Sequence, residues 1–253
     1  MKKLPEITVL FWIMKICATT LGETAGDLLS MTLGIGYGFS SILLISIFLV
    51  TLGAQLISKS FHPLLYWTVI LSTSTAGTTI SDYMDRTLGL GYATGSLILV
   101  SILLATLAIW RYSEKSLSVT NIQTFKGELF YWIAILFSNT LGTALGDFLA
   151  DNSGLGFAGG AILISSVLAI VVLAHYFTKI SSVLLFWIAF VLTRPFGATF
   201  GDLLTKSVEK GGLNFGTKGS SLILFIILIS LIVYTLFKKN TKQFNSEITS
   251  DEK

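Results

Sequence analysis

Asp27, Asp82, Asp147 and Asp202 each stand fifteen residues after a tryptophan, Trp12, Trp67, Trp132 and Trp187, inside stretches otherwise apolar enough for membrane helices. Steps of four residues keep side chains on one helical face. Taken through each aspartate, they give four polar stripes: Thr19, Glu23 and Asp27; Ser74, Thr78 and Asp82; Asn139, Thr143, Asp147 and Asp151; Arg194, Ala198, Asp202 and Lys206. Carboxylates, hydroxyls and one amide are hard oxygen donors, suited to a divalent ion such as Mg2+ or Mn2+ and equally to carrying protons. An aspartate at the bilayer centre costs about 2.5 to 3.5 kcal/mol on insertion scales, so four at one depth imply water, a cation or a counter-ion beside them.

Two readings of these acids compete. In one, the four stripes converge on a single axis and line a pathway; in the other, each aspartate caps the turn that follows it, bonding amides of "LGIGYG", or sits in outer water. Glu23 lies one turn deeper than Asp27 and occurs only in the first stripe, while Arg194 is the deep cation of the fourth. The two are candidates to pair as a buried staple. Alternatively Glu23 carries a proton or cation and Arg194 tunes its affinity.

The elements that must position these residues are helices in a bilayer. Of 253 residues, 53% are hydrophobic and 12% charged, too apolar for a domain whose surface must be solvated. Crossing the hydrocarbon takes about 20 apolar residues as helix. Eight such runs lie near 8–28, 38–57, 64–84, 92–111, 129–149, 157–177, 182–204 and 217–237. Runs such as "ILLISIFLV" do not alternate as barrel strands must. The expected class is therefore all-α: a polytopic membrane protein of eight transmembrane helices, built as four parallel-repeated helix hairpins in two pseudo-symmetric halves.

The repeats are approximately 7–57, 63–111, 128–177 and 182–237, followed by a disordered cytoplasmic tail over 238–253. Each tryptophan is followed ten residues on by Gly22, Gly77, Gly142 or Gly197. Four residues further come Gly26, Ser81, Gly146 and Gly201, a small-xxx-small pattern that lets helix backbones touch. Seven residues after Asp27, Asp82 and Asp147 a Gly-x-Gly follows, whereas the fourth repeat departs with "KSVEKGGLNFGTKG". Lysine and arginine concentrate at both termini and in the loops 58–63, 112–128 and 178–181, leaving Arg86, Lys206, Lys210 and Lys218 opposite. By the positive-inside rule both termini face the cytoplasm, in the cell's inner (plasma) membrane.

Other signals are weaker. The aromatic pairs ending in each repeat's tryptophan read as a belt anchoring the helices at the cytoplasmic edge. His62 and His175 read as ordinary surface residues, and Ser46, Ser101 and Ser166 as serines bonding their own helices. The chain has one cysteine, Cys17, and hence no intrachain disulfide. "GIGYG" lacks the pore helix of a potassium filter, and no intramembrane-protease GxGD, HExxH or GxSxG motif occurs. No enzyme, no cofactor and no nucleic-acid partner is expected.

The tandem stretches "GETAGD", "GTTISD", "GTALGD" and "GATFGD", each preceded by its tryptophan, resemble a bacterial family of four-repeat membrane proteins of unknown function, over about residues 7–237. The resemblance implies the fold and little chemistry. The function expected from the residues is a secondary transporter or exporter of a small cation. Asp27, Asp82, Asp147 and Asp202 are its metal ligands or proton exchangers, Glu23 a coupling acid, Asn139, Thr19, Ser74 and Thr143 neutral ligands, with Asp151 on the same stripe and Arg194 tuning the charge. The partners are then the lipid bilayer and the cation. The alternatives are a non-transporting membrane scaffold and a small-molecule sensor, the latter with an apolar pocket opening to the side.

Overall fold

The computed structural model describes residues 4–122 and 124–251. Among these it is all-helical, with eight α-helices and no strand: α1 (Val9–Asp27), α2 (Tyr37–Ile57), α3 (Pro63–Asp82), α4 (Tyr92–Glu114), α5 (Phe125–Asp147), α6 (Gly156–Phe177), α7 (Ser182–Thr205) and α8 (Gly216–Asp251). The tail expected over 238–253 falls largely, in its side chains and its last two residues, outside the described residues.

Six stretches are long and apolar enough to cross a membrane: Tyr37–Ile57, Tyr92–Glu114, Phe125–Asn152, Gly156–Phe177, Ser182–Thr205 and Gly216–Lys238. This is the make-up of a polytopic membrane protein. α1 and α3 fall short because Lys15, Glu23 and Asp27 interrupt the first, and a run of serines and threonines fills the second.

Polarity is distributed inside out. The odd-numbered helices bury Thr19, Glu23, Ser74, Asn139 and Arg194, while the even-numbered helices expose Phe39, Val50, Leu97, Ile162 and Leu222. Water outside would penalise such a surface; lipid does not.

α1, α3, α5 and α7 form a closed ring in which each packs against the next and α7 returns to α1. The small-xxx-small residues make this possible. A Cβ at Gly22 would meet Ser74, one at Gly77 would meet Asn139 and Thr140, one at Gly142 would meet Arg194 and Pro195, and one at Gly197 would meet Thr19. One turn on, Gly26 lies against Thr78, Gly146 against Ala198 and Gly201 against Glu23. Matching offsets along both partners require the four helices to run parallel, so equivalent residues reach equivalent heights.

The hairpin expectation is corrected here. The main partner of α2 is α3, that of α4 is α5, that of α6 is α7, and that of α8 is α1. Each repeat thus hands its second helix to the first helix of the following repeat. The connection explains why. After Asp27, Asp82 and Asp147 the helix widens into a π-helical turn, over Leu28–Thr32, Tyr83–Thr87 and Phe148–Asn152. Gly34 and Gly36, at φ 70° and 81°, then swing the chain outward in a conformation that costs other residues a Cβ clash. The fourth repeat, with its longer loop, has instead a short 3-10 turn at Val208–Lys210.

The tryptophans are also corrected. Trp67, Trp132 and Trp187 are 2%, 0% and 5% exposed, and only Trp12 is half-buried, so the set is a buried aromatic floor rather than a lipid-facing belt. Trp67 and Trp132 pack edge-on against their neighbours Tyr66 and Tyr131. The hydroxyls of those two tyrosines meet at 2.7 Å. The aromatic pairs in the sequence marked one level of the helices and not that the rings lie inside the bundle.

Candidate functional site

The axis of the ring is a stack of layers, successive ones four residues, about 6 Å, apart. From the aromatic floor upward, the first holds Lys15, Ile70, Ile135 and Phe190, all 0% exposed. Lys15 lies 4.0 Å over the Phe190 ring and donates to Asn139 Oδ1 at 3.4 Å. Its place on the axis follows from carrying the stripe one step further back than Thr19.

The next layer holds Thr19, Ser74, Asn139 and Arg194. The guanidinium of Arg194 donates to the main-chain carbonyls of the three equivalent residues: Nε to Asn139 at 3.1 Å, and the terminal nitrogens to Thr19 at 3.0 Å and Ser74 at 3.1 Å. It also donates to Thr78 and to Thr143, the latter at 2.8 Å. Above it Glu23 Oε2 stands 3.1 Å from the guanidinium and accepts from Thr78 at 3.3 Å and Thr143 at 3.1 Å. Glu23 and Arg194 therefore pair, as their stripes allow, with side chains 3% and 0% exposed. Every helix of the ring meets this knot.

The acid layer comes next. Asp27, Asp82, Asp147 and Asp202 are 2–3% exposed. Two cationic side chains serve all four. Arg86 stands 2.7 Å from Asp82 and 3.0 Å from Asp147, and Lys206 2.6 Å from Asp27 and 3.0 Å from Asp202. Arg86 read as a loop charge in the sequence; its signal was its spacing, four residues after Asp82 as Lys206 is after Asp202. Met31 and Asp151 hold the other two places. Carboxylate oxygens of Glu23, Asp147 and Asp202 lie within 4.8 Å of one another.

Turn capping does not account for the acids. Asp27, Asp82 and Asp147 each precede a π-helical turn but make no side-chain bond to its amides, and their burial removes outer water as their solvent. The structure brings Glu23, Thr143, Arg194 and the four aspartates together, while the Asn139 side chain bonds Lys15 and Thr73 and reaches Arg194 only through its main-chain carbonyl. It does not bring all the expected ligands. The Thr19 hydroxyl bonds Ile16 and Thr193 carbonyls, and the Ser74 hydroxyl lies against Gly22, so these two meet the axis through their carbonyls. Asp151 is exposed and accepts from Tyr92 at 3.3 Å. Asp85 is buried but accepts from Ser81 and lies against Gly95 of α4 rather than joining the layer. Ser46, Ser101 and Ser166 bond carbonyls of their own helices, and His62 and His175 are exposed. A mostly apolar groove lined by Leu21, Leu28, Leu71, Leu222 and Phe225 opens sideways between α1, α3 and α8.

A ring of four equivalent helices carrying stacked axial layers defines a repeat protein with an internal four-fold pattern. The family described as Repeat of Unknown Function (DUF347) matches at residues 10–61, 65–116, 130–181 and 185–241, and the chain belongs to it. No curated protein and no solved structure matches the chain.

Proposed function

We propose that the protein moves a small cation across the membrane along the axis of α1, α3, α5 and α7, the substrate being a hard divalent ion such as Mn2+ or Mg2+. One observation carries the reading. Four buried carboxylates share two cationic side chains, Arg86 and Lys206. Within that layer two negative charges are left, the complement of one divalent ion or of two protons; Lys15, three layers below, is a further buried cation on the axis. Burying them unmatched is expensive. Ligands on opposite sides of such an ion, bound at about 2.0–2.6 Å, stand at most roughly 5 Å apart, and the Glu23, Asp147 and Asp202 oxygens lie within 4.8 Å of one another, close enough to share one ion.

In this reading the chain crosses the membrane eight times. The polar residues of α1 and α3 are buried on the ring rather than turned to lipid, which makes both helices acceptable as spans. The aromatic floor faces the cytoplasm with both termini. Arg86 and Lys206 belong to the acid layer, so removing them from the outer loop charges sharpens the lysine and arginine asymmetry between the two sides. The ion enters from the acid end and takes up the two negative charges that Arg86 and Lys206 leave unmatched. It goes deeper only when the Glu23–Arg194 knot separates. A scaffold reading draws on the same knot, whose guanidinium is fully bonded, but leaves the two excess charges of the acid layer without a role.

Cellular metal content in a deletion strain tests the proposal, with complementation by the unaltered chain, Asp27→Asn and Asp147→Asn. The expected result is altered Mn2+ or Mg2+ content that only the unaltered chain restores. Normal metal handling in every strain would remove the cation reading.

A further inference from the structure

The polar links between repeats at the acid end are unevenly placed. Among the described residues, those between repeats two and three are Arg86 to Asp147 and Tyr92 to Asp151. Those between repeats four and one are Lys206 to Asp27, Thr217 to Thr32 at 2.7 Å, and Ser221 to Thr24 at 2.9 Å. Among the described residues the acid layer itself has no ion pair or hydrogen bond between repeats one and two or between three and four; one layer down, Gly26 packs on Thr78, which donates to the Gly22 carbonyl and to Glu23, and Gly146 packs on Ala198.

Each even helix rides with one ring helix, so it moves with whichever body that ring helix belongs to. α2 packs on α3 and α4 on α5, while α6 packs on α7 and α8 on α1. α2 is further joined to α3 by Thr51 to Ser72 at 3.1 Å, and Gly38 lies against Tyr83. The Cys17 thiol donates to the Leu224 carbonyl, joining α1 to α8. Two bodies result: α2 to α5, and α6 to α8 together with α1. At the acid end the chain passes between them only in the turns after the first and third repeats' π-helical segments. Those turns hold Gly34 and Gly36, and Gly154 and Gly156, all at positive φ. Bonds that do cross lie deeper: in the Arg194–Glu23 knot, just beneath it where Lys15 donates to Asn139, and at the aromatic end, where Trp187 Nε1 donates to the Leu117 carbonyl at 3.1 Å.

We infer that the acid end opens along this seam. The body of α2 to α5 swings from the body of α6 to α8 and α1, the two glycine turns flex, and the Arg194 knot is the pivot. The moving bodies are therefore not the two halves of the sequence. Opening separates the Asp82–Arg86–Asp147 clamp from the Asp27–Lys206–Asp202 clamp as intact units, which uncovers the acid layer without breaking either ion-pair set. Fixed bodies joined by a few strained or flexible turns are the usual anatomy of hinge motion. The bodies are read from the polar links at the acid end and from which ring helix each even helix covers; only their use in admitting a cation rests on the function proposed above.

Spin-label distances in the full chain, in lipid nanodiscs and with Cys17→Ser, test the inference. Labels go on the exposed positions Phe39 of α2, Leu97 of α4, Ile162 of α6 and Leu222 of α8. Phe39 with Leu97 and Ile162 with Leu222 report within a body; Phe39 with Leu222 and Leu97 with Ile162 report across the seam. Broader or two-population distributions for the two cross-seam pairs, with single narrow ones inside each body, are expected. Cross-seam distributions no broader than the internal ones would overturn the inference. A chain that carries no cation yet shows the expected pattern loses the proposed function and keeps the seam; a chain that carries Mn2+ with equal widths keeps the function and loses the seam.

Discussion

Arg194 and Glu23 show how a residue's neighbours decide its cost. Either charge alone at 0–2% exposure would be excluded from a helix interior; together, with three carbonyls and two hydroxyls around them, they are bonded on every side. Removing one partner strands the other. Arg194→Met is expected to destabilise the chain by about 3 to 5 kcal/mol, and adding Glu23→Gln to recover most of that loss. Unfolding midpoints of the two variants in detergent check this, and a double variant no more stable than the single one would contradict it. That the two residues belong together was legible from their stripes. That Arg194 bonds the carbonyls of Thr19, Ser74 and Asn139 was not, because sequence spacing locates side chains and says nothing of which backbone groups a long side chain reaches. Lys15 and Arg86 were missed for a related reason: the stripe was not carried back as far as Lys15, and Arg86 was read by its immediate neighbours, as a loop charge, rather than by its register.

At the scale of the element, the glycines and the tryptophans divide the lesson. The four-residue spacing of Gly22 with Gly26 and Gly142 with Gly146 announced close helix contact, and the ring has it. Gly142→Ala would push a Cβ to 2.9 Å from the Pro195 nitrogen, a backbone atom that cannot yield, and should cost about 1 to 3 kcal/mol. Gly53→Ala, in α2 with nothing within 4 Å, should be neutral or stabilising by up to about 1 kcal/mol. Melting midpoints of both variants measure the contrast, and equal effects would contradict the packing described. The partner of each even helix was not legible, since an apolar face such as that of α2 carries no mark of which neighbour it covers. The tryptophans misled because an aromatic pair at a membrane edge has the same sequence signature whether it faces lipid or a buried floor. Trp132→Ala is expected to cost about 3 to 5 kcal/mol, whereas a lipid-facing anchor would cost far less, and the same melting experiment separates the two.

For the whole molecule, four repeats do what none does alone. Each contributes one aspartate, one close-contact face and one exported helix, and the exported helix covers the next repeat, so the ring closes only when the fourth meets the first. The repeat pattern was plain in the sequence because spacing from tryptophan to aspartate is kept four times. The departures set the polarity of the axis and carry the proposed function: Glu23 in the first repeat, Arg86 in the second, Arg194 and Lys206 in the fourth. They turn a symmetric cage into an axis with a knot below and a partly neutralised acid layer above. If that layer takes a cation, flux must depend on its carboxylates and on no lipid-facing polar group. The direct measurement is Mn2+ uptake by liposomes containing the purified chain. Uptake above protein-free liposomes, abolished by Asp147→Asn and by Asp202→Asn and retained by Ser46→Ala, is the result this account requires. Uptake equal to that of empty liposomes, or unchanged in both aspartate variants, would contradict it.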